Sequence, residues 1–418
     1  MIIRQKYLDE LEKWRDSDLV KIITGMRRCG KSTLLRQFAK TLPKNGVNKS
    51  HLILLDCSDL SLQKEITTAQ QLHDYLLSRL PTKGRSYILL DEILSIPDWH
   101  QAIKSLSLRS HVDCYLTDSN SSSLSQQAST YLTGRHLRLN LLPLSFNELL
   151  TCARFRQSPT KVYQYLTQSS GLPAVLKLKN QADINQYLQT VFNDFISENV
   201  IDQYHLPDKQ VLTSIIEYLL SNLGEILFVN SIAATMTIAK IVSLIFANRI
   251  SNDAASGKGK TNPHTVDAYL GALIDSQLFH KVPCYHFNGR HTLHTGDKFY
   301  VGDFGLSQCL TSEPLLTQQQ VLENMVYLQL KQQGGRISAA KKKQGFIDFI
   351  VTNAHQQKSY YQVLYSTQDE QALTQKLAPL NEVNPQAPKT LITLDPNPVT
   401  ISDSHLQSVN FFDWVINN

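Results

Sequence analysis

The chain has 418 residues, 42% of them apolar, and 41 Lys and Arg against 36 Asp and Glu give a formal charge of +5, which permits contact with nucleic acid without demanding it. That length suffices for about two to four domains, no apolar stretch approaches the ~20 residues that cross a bilayer, and the start Met1-Ile-Ile-Arg-Gln-Lys6 lacks a signal-peptide layout, so the expected location is cytoplasmic with no membrane partner. Cys29, Cys57, Cys114, Cys152, Cys284 and Cys309 are scattered without a C-x-x-C, so neither a zinc site nor a disulfide framework is indicated.

The first strong element is the apolar run Leu19-Val-Lys-Ile-Ile-Thr24, which predicts a buried strand, and Ser32-Thr-Leu-Leu-Arg-Gln-Phe-Ala39 predicts an amphipathic helix. Between them Gly25-Met26-Arg27-Arg28-Cys29-Gly30-Lys31-Ser32, with Thr33 following, satisfies the phosphate-loop pattern G-x-x-x-x-G-K-[ST] in the context it needs. Gly25 and Gly30 let the backbone curl so that successive N–H groups face a phosphate, and the helix N-terminus adds to that field. Lys31 is placed for β- and γ-phosphates and Ser32 for magnesium, so ATP and Mg2+ are the expected cofactors. Cys29 inside such a loop raises the idea of a lowered thiol pKa, although an unconstrained loop position is the simpler reading.

A strand is expected over His51–Asp56, and the next, Tyr87-Ile-Leu-Leu-Asp91-Glu92, ends in paired carboxylates about 60 residues after the phosphate loop. Asp91 suits magnesium and Glu92 suits polarising the attacking water. The strand His111–Thr117 then runs into the polar string Asp118-Ser-Asn-Ser-Ser-Ser123, where Thr117, Ser119 and Asn120 are candidates to sense the γ-phosphate. Arg135, before the alternating strand His136–Leu142, is a candidate to supply charge to a phosphate at a subunit interface; a surface ion pair is its plainer reading.

These motifs resemble the prokaryotic AAA-type ATPases that carry a C-terminal domain of unknown function. The resemblance runs from Gly25–Leu35 through Leu90-Asp-Glu-Ile93, Gly134-Arg135, Leu142-Pro-Leu-Ser-Phe-Asn-Glu148 and Ser170-Gly-Leu-Pro173 to Lys298–Leu306, Leu322–Tyr327, Ile347-Asp-Phe-Ile350 and Tyr361-Gln-Val363. It implies an α/β fold: a P-loop NTPase parallel-sheet core over 1–150, a helical lid over 151–208, a winged-helix-like domain over 209–302 and a restriction-endonuclease-like domain over 303–418. The group usually has Gln where Leu94 stands, a Thr-Gly-Ser sensor where this chain has Thr117-Asp-Ser119, and an Arg-Asp pair in the helix that here reads Ile196-Ser-Glu-Asn-Val200. Asp118 would repel a triphosphate unless it points away.

Beyond residue 150 the spacing predicts helices around 161–166, 183–203, 209–222 and 238–248, a flexible linker over 251–262, a helix over 265–277 and a β-ribbon through 281–301. The helix over 265–277 offers Asp267 and Asp275 but no Arg or Lys, which disfavours base readout; Lys258, Lys260 and Arg290 remain available for phosphate contact. The run Lys341-Lys-Lys343 reads as a solvated hairpin tip, with phosphate contact as the other reading.

The C-terminal resemblance places Glu323 on a helix and Asp348 on a strand as ligands of a second metal site, but Gln362-Val-Leu364 stands where a Glu-x-Lys is needed. Nuclease activity is therefore not expected. The whole reads as a Mg-dependent ATPase coupling nucleotide state to domain closure on a client that the sequence does not identify, with a protein, another copy of the chain and nucleic acid all open as partners. The alternatives are a nucleotide-gated interaction switch with little hydrolysis and an ATP-gated DNA nuclease.

Overall fold

The computed structural model describes residues 2–206, 208–236, 263–288, 291–309, 316–399, 401 and 405–417. The helix expected near 238–248, the linker over 251–262 and Arg290 lie outside these residues. The chain divides into two compact units, one of Met1–Leu144 with Gly171–Lys179 and one of Ser145–Ser170 with Asn180–Asn418.

The first unit is built on five strands, β1 (Val20–Gly25), β2 (Leu52–Asp56), β3 (Ser86–Asp91), β4 (Val112–Thr117) and β5 (His136–Leu141), in the order β2-β3-β4-β1-β5. Every pairing is parallel. Parallel sheets need helices on both faces, and the sequence supplies near-continuous apolar strands to match: all of β1, β3 and β4 is buried. The helices are α1 (Gln5–Lys13), α2 (Lys31–Thr41), α3 (Leu60–Gln63), α4 (Ala69–Leu77), α5 (Trp99–Ser107) and α6 (Ser121–Tyr131). Ile88, Leu90, Trp99, Ile103, Leu116 and Leu124 belong to one core cluster that joins β3 and β4 to α5 and α6. Because β4 stands between β1 and β3, the C-terminal ends of all three strands share one edge of the sheet. Three loops that carry polar residues, 25–32, 91–94 and 117–121, emerge there together.

Buried charge marks the other edge. Lys21 on β1 pairs with Asp113 on β4, and the Tyr115 hydroxyl donates to Asp113 at 3.0 Å. Both charges are buried, so each depends on the other for solvation.

The second unit opens with α7 (Phe146–Leu150), α8 (Pro159–Gln168) and α9 (Gln181–Asp194), after which the winding loosens to a π-helix over Phe195–Asp202. Then come α10 (Lys209–Ser221), α11, described over 229–236, and α12 (Pro263–Asp275). The ribbon β6 (Phe279–Asn288) and β7 (His291–Val301) is followed by α13 (Phe304–Gln308), α14 (Gln318–Gln333), β8 (Arg336–Lys342), β9 (Gly345–Thr352), β10 (Lys358–Val363), α15 (Glu370–Leu377), β11 (Lys389–Thr393), β12 (Leu406–Asn410) and α16 (Phe411–Asn417). All seven strands form one sheet in the order β12-β11-β10-β9-β8-β6-β7. The ribbon expected to belong to a winged-helix module thus continues the C-terminal sheet: Cys284 of β6 pairs in parallel with Ala339 of β8. Helix α14 starts from a capping box between Thr317 and Gln320 and is buried around most of its middle, Leu322 to Tyr327.

Among the described residues no helix is long and apolar enough to cross a membrane.

Candidate functional site

The phosphate loop leaves β1 at Gly25, whose φ of +152° no β-carbon could follow here: an added Cβ would lie 2.3 Å from the Leu141 carbonyl oxygen. Gly30 has a φ of +106° and opens α2. Met26 and Cys29 are buried, Arg27 half-buried, and Arg28 and Thr33 exposed. Lys31 folds back under the loop and its Nζ donates to the carbonyls of Gly25 at 3.0 Å and Met26 at 3.2 Å. Those neutral acceptors hold the ammonium against the loop backbone.

Ser32 Oγ donates to Asp91 Oδ1 at 3.1 Å, joining the start of α2 to the end of β3. Arg36, one turn further along α2, brings Nη2 to 3.6 Å from Asp91 Oδ2 and 3.5 Å from Asp56 Oδ2. Burial pushes the Asp91 carboxyl up to about 6, with Glu92 and Asp56 adding to the shift and the Ser32 hydroxyl and Arg36 opposing it. A hydroxyl and a carboxylate side by side, both hard oxygen donors, suit magnesium.

Glu92 adopts a left-handed backbone, φ +53°, and its Oε2 accepts from Ser119 N at 3.1 Å and Ser119 Oγ at 2.8 Å. The neighbouring Asp118 is spent on the loops themselves: one carboxylate oxygen accepts from Leu94 N and the other from Asn120 N, both at 2.8 Å. Burial, then Glu92, pushes its carboxyl up to about 6. Asn120 caps α6 through Ser123 N at 3.1 Å, and Thr117 is buried within the sheet. Ser121 Oγ accepts from Gly25 N at 3.1 Å and donates to Gly25 O at 2.8 Å, bracing the first residue of the phosphate loop.

Arg135 stands elsewhere. It is exposed just before β5, and the register Val20↔His136 to Gly25↔Leu141 puts it at the end of the sheet away from the phosphate loop, a strand length of roughly 17 Å.

Cys29 has no activated thiol. Its Sγ contacts the Leu141 carbonyl at 3.4 Å, and burial raises the pKa, with Lys31 and Arg4 only partly offsetting it. The residues that sequence reasoning did not single out are Arg4, Arg36 and Ser121; each acts through a partner remote in the chain, which leaves no local signal.

Residues 17–150 match the family model of the AAA domain. Over this stretch the chain is similar to AAA domains. A second match, to a domain of unknown function (DUF8612), spans residues 160–315 and so covers the middle of the chain, not its C-terminus. An uncharacterized protein of Haemophilus influenzae is 27% identical over 358 residues, 85% of this chain and 84% of its own length, and one of Methanocaldococcus jannaschii is 24% identical over 366 residues, 83% and 74%. Among solved structures, a Walker-type ATPase of Pyrococcus abyssi is similar with a TM-score of 0.45 and 16% identity, over 74% of this chain and 96% of that one. Cdc6p from Pyrobaculum aerophilum gives 0.27 and 10%, over 78% and 94%.

Glu323 and Asp348, the second pair picked out by sequence, do converge, but around a lysine. Lys298 Nζ, from β7, lies 3.0 Å from Glu323 Oε1 and 3.3 Å from Asp348 Oδ1. Lys376 on α15 approaches Asp348 at 2.8 Å, and the Tyr300 hydroxyl donates to Glu323 at 2.7 Å. Burial drags the Lys298 pKa down, yet Glu323 and Asp348 more than compensate and hold it above the ordinary value. Gln362 is a backbone clip: its Oε1 accepts from Asp348 N at 3.0 Å, and its Nε2 donates to Phe346 O at 2.9 Å and Lys376 O at 2.6 Å. No group of three or more His, Cys, Asp or Glu suited to a metal occurs among the described residues.

Proposed function

We propose that the chain binds ATP on Gly25–Thr33 and hydrolyses it at Asp91 and Glu92, coupling nucleotide state to domain closure on a client. The observation that carries this reading is the meeting of Ser32 and Asp91 beside a lysine already drawn into the loop. Lys31 would exchange its two carbonyl partners for β- and γ-phosphate oxygens, and the backbone N–H groups at the start of α2 would face the same anion. Ser32 and Asp91 would hold magnesium, whose chemistry when bound is to offset charge on the phosphate oxygens. Glu92, with Oε2 fixed by Ser119, would accept the proton of the attacking water through its other oxygen.

A second reading, a switch that binds ATP and scarcely turns it over, is favoured by Asn120 being committed to capping α6. Phosphate release by the purified protein, with and without double-stranded DNA, separates the two. Cleavage of DNA is not part of the proposal, because two lysines satisfy the Glu323 and Asp348 carboxylates and Gln362 is consumed by the backbone.

A further inference from the structure

Arg4 lies just before α1 and is 4% exposed. Its Nη1 donates to the Cys29 carbonyl in the phosphate loop at 3.4 Å, and its Nη2 to the carbonyls of Leu142 at 2.9 Å and Pro143 at 3.4 Å, just beyond β5. The guanidinium lies over the Tyr7 ring, 4.8 Å from its centroid, and the Tyr7 hydroxyl accepts from Leu142 N at 3.3 Å. The arm is pinned separately: Gln37 on α2 accepts from Arg4 N at 3.3 Å and donates to Ile2 O at 2.6 Å.

The contact with Cys29 has a consequence for the loop. In a trans peptide the carbonyl and the following N–H point in opposite directions. With the Cys29 carbonyl drawn toward Arg4, the Gly30 N–H faces away from it. No peptide of the described chain is cis. Arginine also stays charged under all ordinary conditions, so the contact sets a permanent cation behind the loop.

We propose that Arg4 is a positioning residue of the phosphate cradle, holding the Cys29–Gly30 peptide with its N–H turned to the nucleotide. It favours polyphosphate over monophosphate ligands by its charge. This rests on the nucleotide-binding reading and names a determinant of affinity outside the loop motif.

The test is titration of ATP and AMP into wild type, Arg4→Met, Arg4→Lys and Gln37→Met, with the Gly30 amide followed by NMR. Arg4→Met is expected to weaken ATP by roughly ten- to hundredfold, to weaken AMP less, and to move the Gly30 amide resonance of the free protein. Arg4→Lys should recover part of the affinity, and Gln37→Met, which loosens the arm but leaves the guanidinium, should change it less than about threefold. If Arg4→Met does not fold, Arg4→Lys decides: an intermediate loss supports the assignment and wild-type affinity overturns it. Equal ATP binding by wild type and Arg4→Met, or an equal loss in Gln37→Met, overturns it alone. A wild type that binds no ATP overturns the nucleotide reading as well.

Discussion

Ser32 and Asp91 are 59 residues apart in the chain and 3.1 Å apart in the fold, hydroxyl to carboxylate. The strand order makes this so, because α2 begins directly over the C-terminal ends of β1, β4 and β3. Asp91→Asn keeps the shape and removes the charge, so it should lower magnesium-dependent phosphate release by at least about a hundredfold while ATP is still bound. Titration of ATP with and without magnesium checks this; unchanged turnover would remove Asp91 from the site.

Gly25→Ala is expected to cost about 1–3 kcal/mol and to abolish nucleotide binding, since the new methyl would collide with the Leu141 carbonyl at 2.3 Å and the Cys29 sulfur at 2.9 Å. Gly46 is the control: it also has a positive φ, +89°, but nothing lies within 4 Å of its would-be Cβ. Gly46→Ala should therefore cost about 1 kcal/mol and leave binding intact, as denaturant melts and ATP titrations of both variants would reveal.

In the second unit, Lys298 is sandwiched between two carboxylates, all three groups largely buried. Lys298→Met would leave Glu323 facing Asp348 without the shared cation, and the expected loss is about 3–5 kcal/mol. Adding Glu323→Gln should restore part of it by removing the orphaned charge. Urea unfolding of the single and double variants is the check; an additive, more severe loss would contradict the account.

His280 is buried, with its ring edge-on to Tyr327 at 5.6 Å, and burial, aided by Lys331, pulls its pKa from 6.5 to about 3. The unfolded chain takes up this proton near 6.5 and the folded chain only near 3, so the unfolded state binds more protons in between and stability falls as pH drops through that window. The full contribution is on the order of 5 kcal/mol. His280→Phe should therefore become progressively more stable relative to wild type between pH 6.5 and 4, measured by chemical denaturation; a constant difference would show that His280 is not the titrating group.

The phosphate loop and the Asp91–Glu92 pair were legible because their chemistry is written in contiguous residues, and the two apolar runs flanking the loop sufficed to read strand and helix. Strands β2 and β4 were also readable as strands, from their apolar runs, but not their order in the sheet. What escaped was long-range. Arg4 contacts residues 25 and 138 positions away, and no local pattern marks an arginine that solvates carbonyls. Glu323 and Asp348 were picked out by a resemblance, but the lysines that neutralise them come from β7 and α15. Nor does periodicity reveal that β6 pairs in parallel with β8, a partner some 55 residues later, so the ribbon looked like part of a separate module.

Phosphate release from ATP and magnesium by the purified wild-type protein, run beside Glu92→Gln, tests the central claim most directly. Turnover in the wild type that is lost in Glu92→Gln, with ATP still bound by both, is the expected result. Equal release by the two, or none by a wild type that binds ATP, with or without double-stranded DNA, would contradict hydrolysis at Glu92.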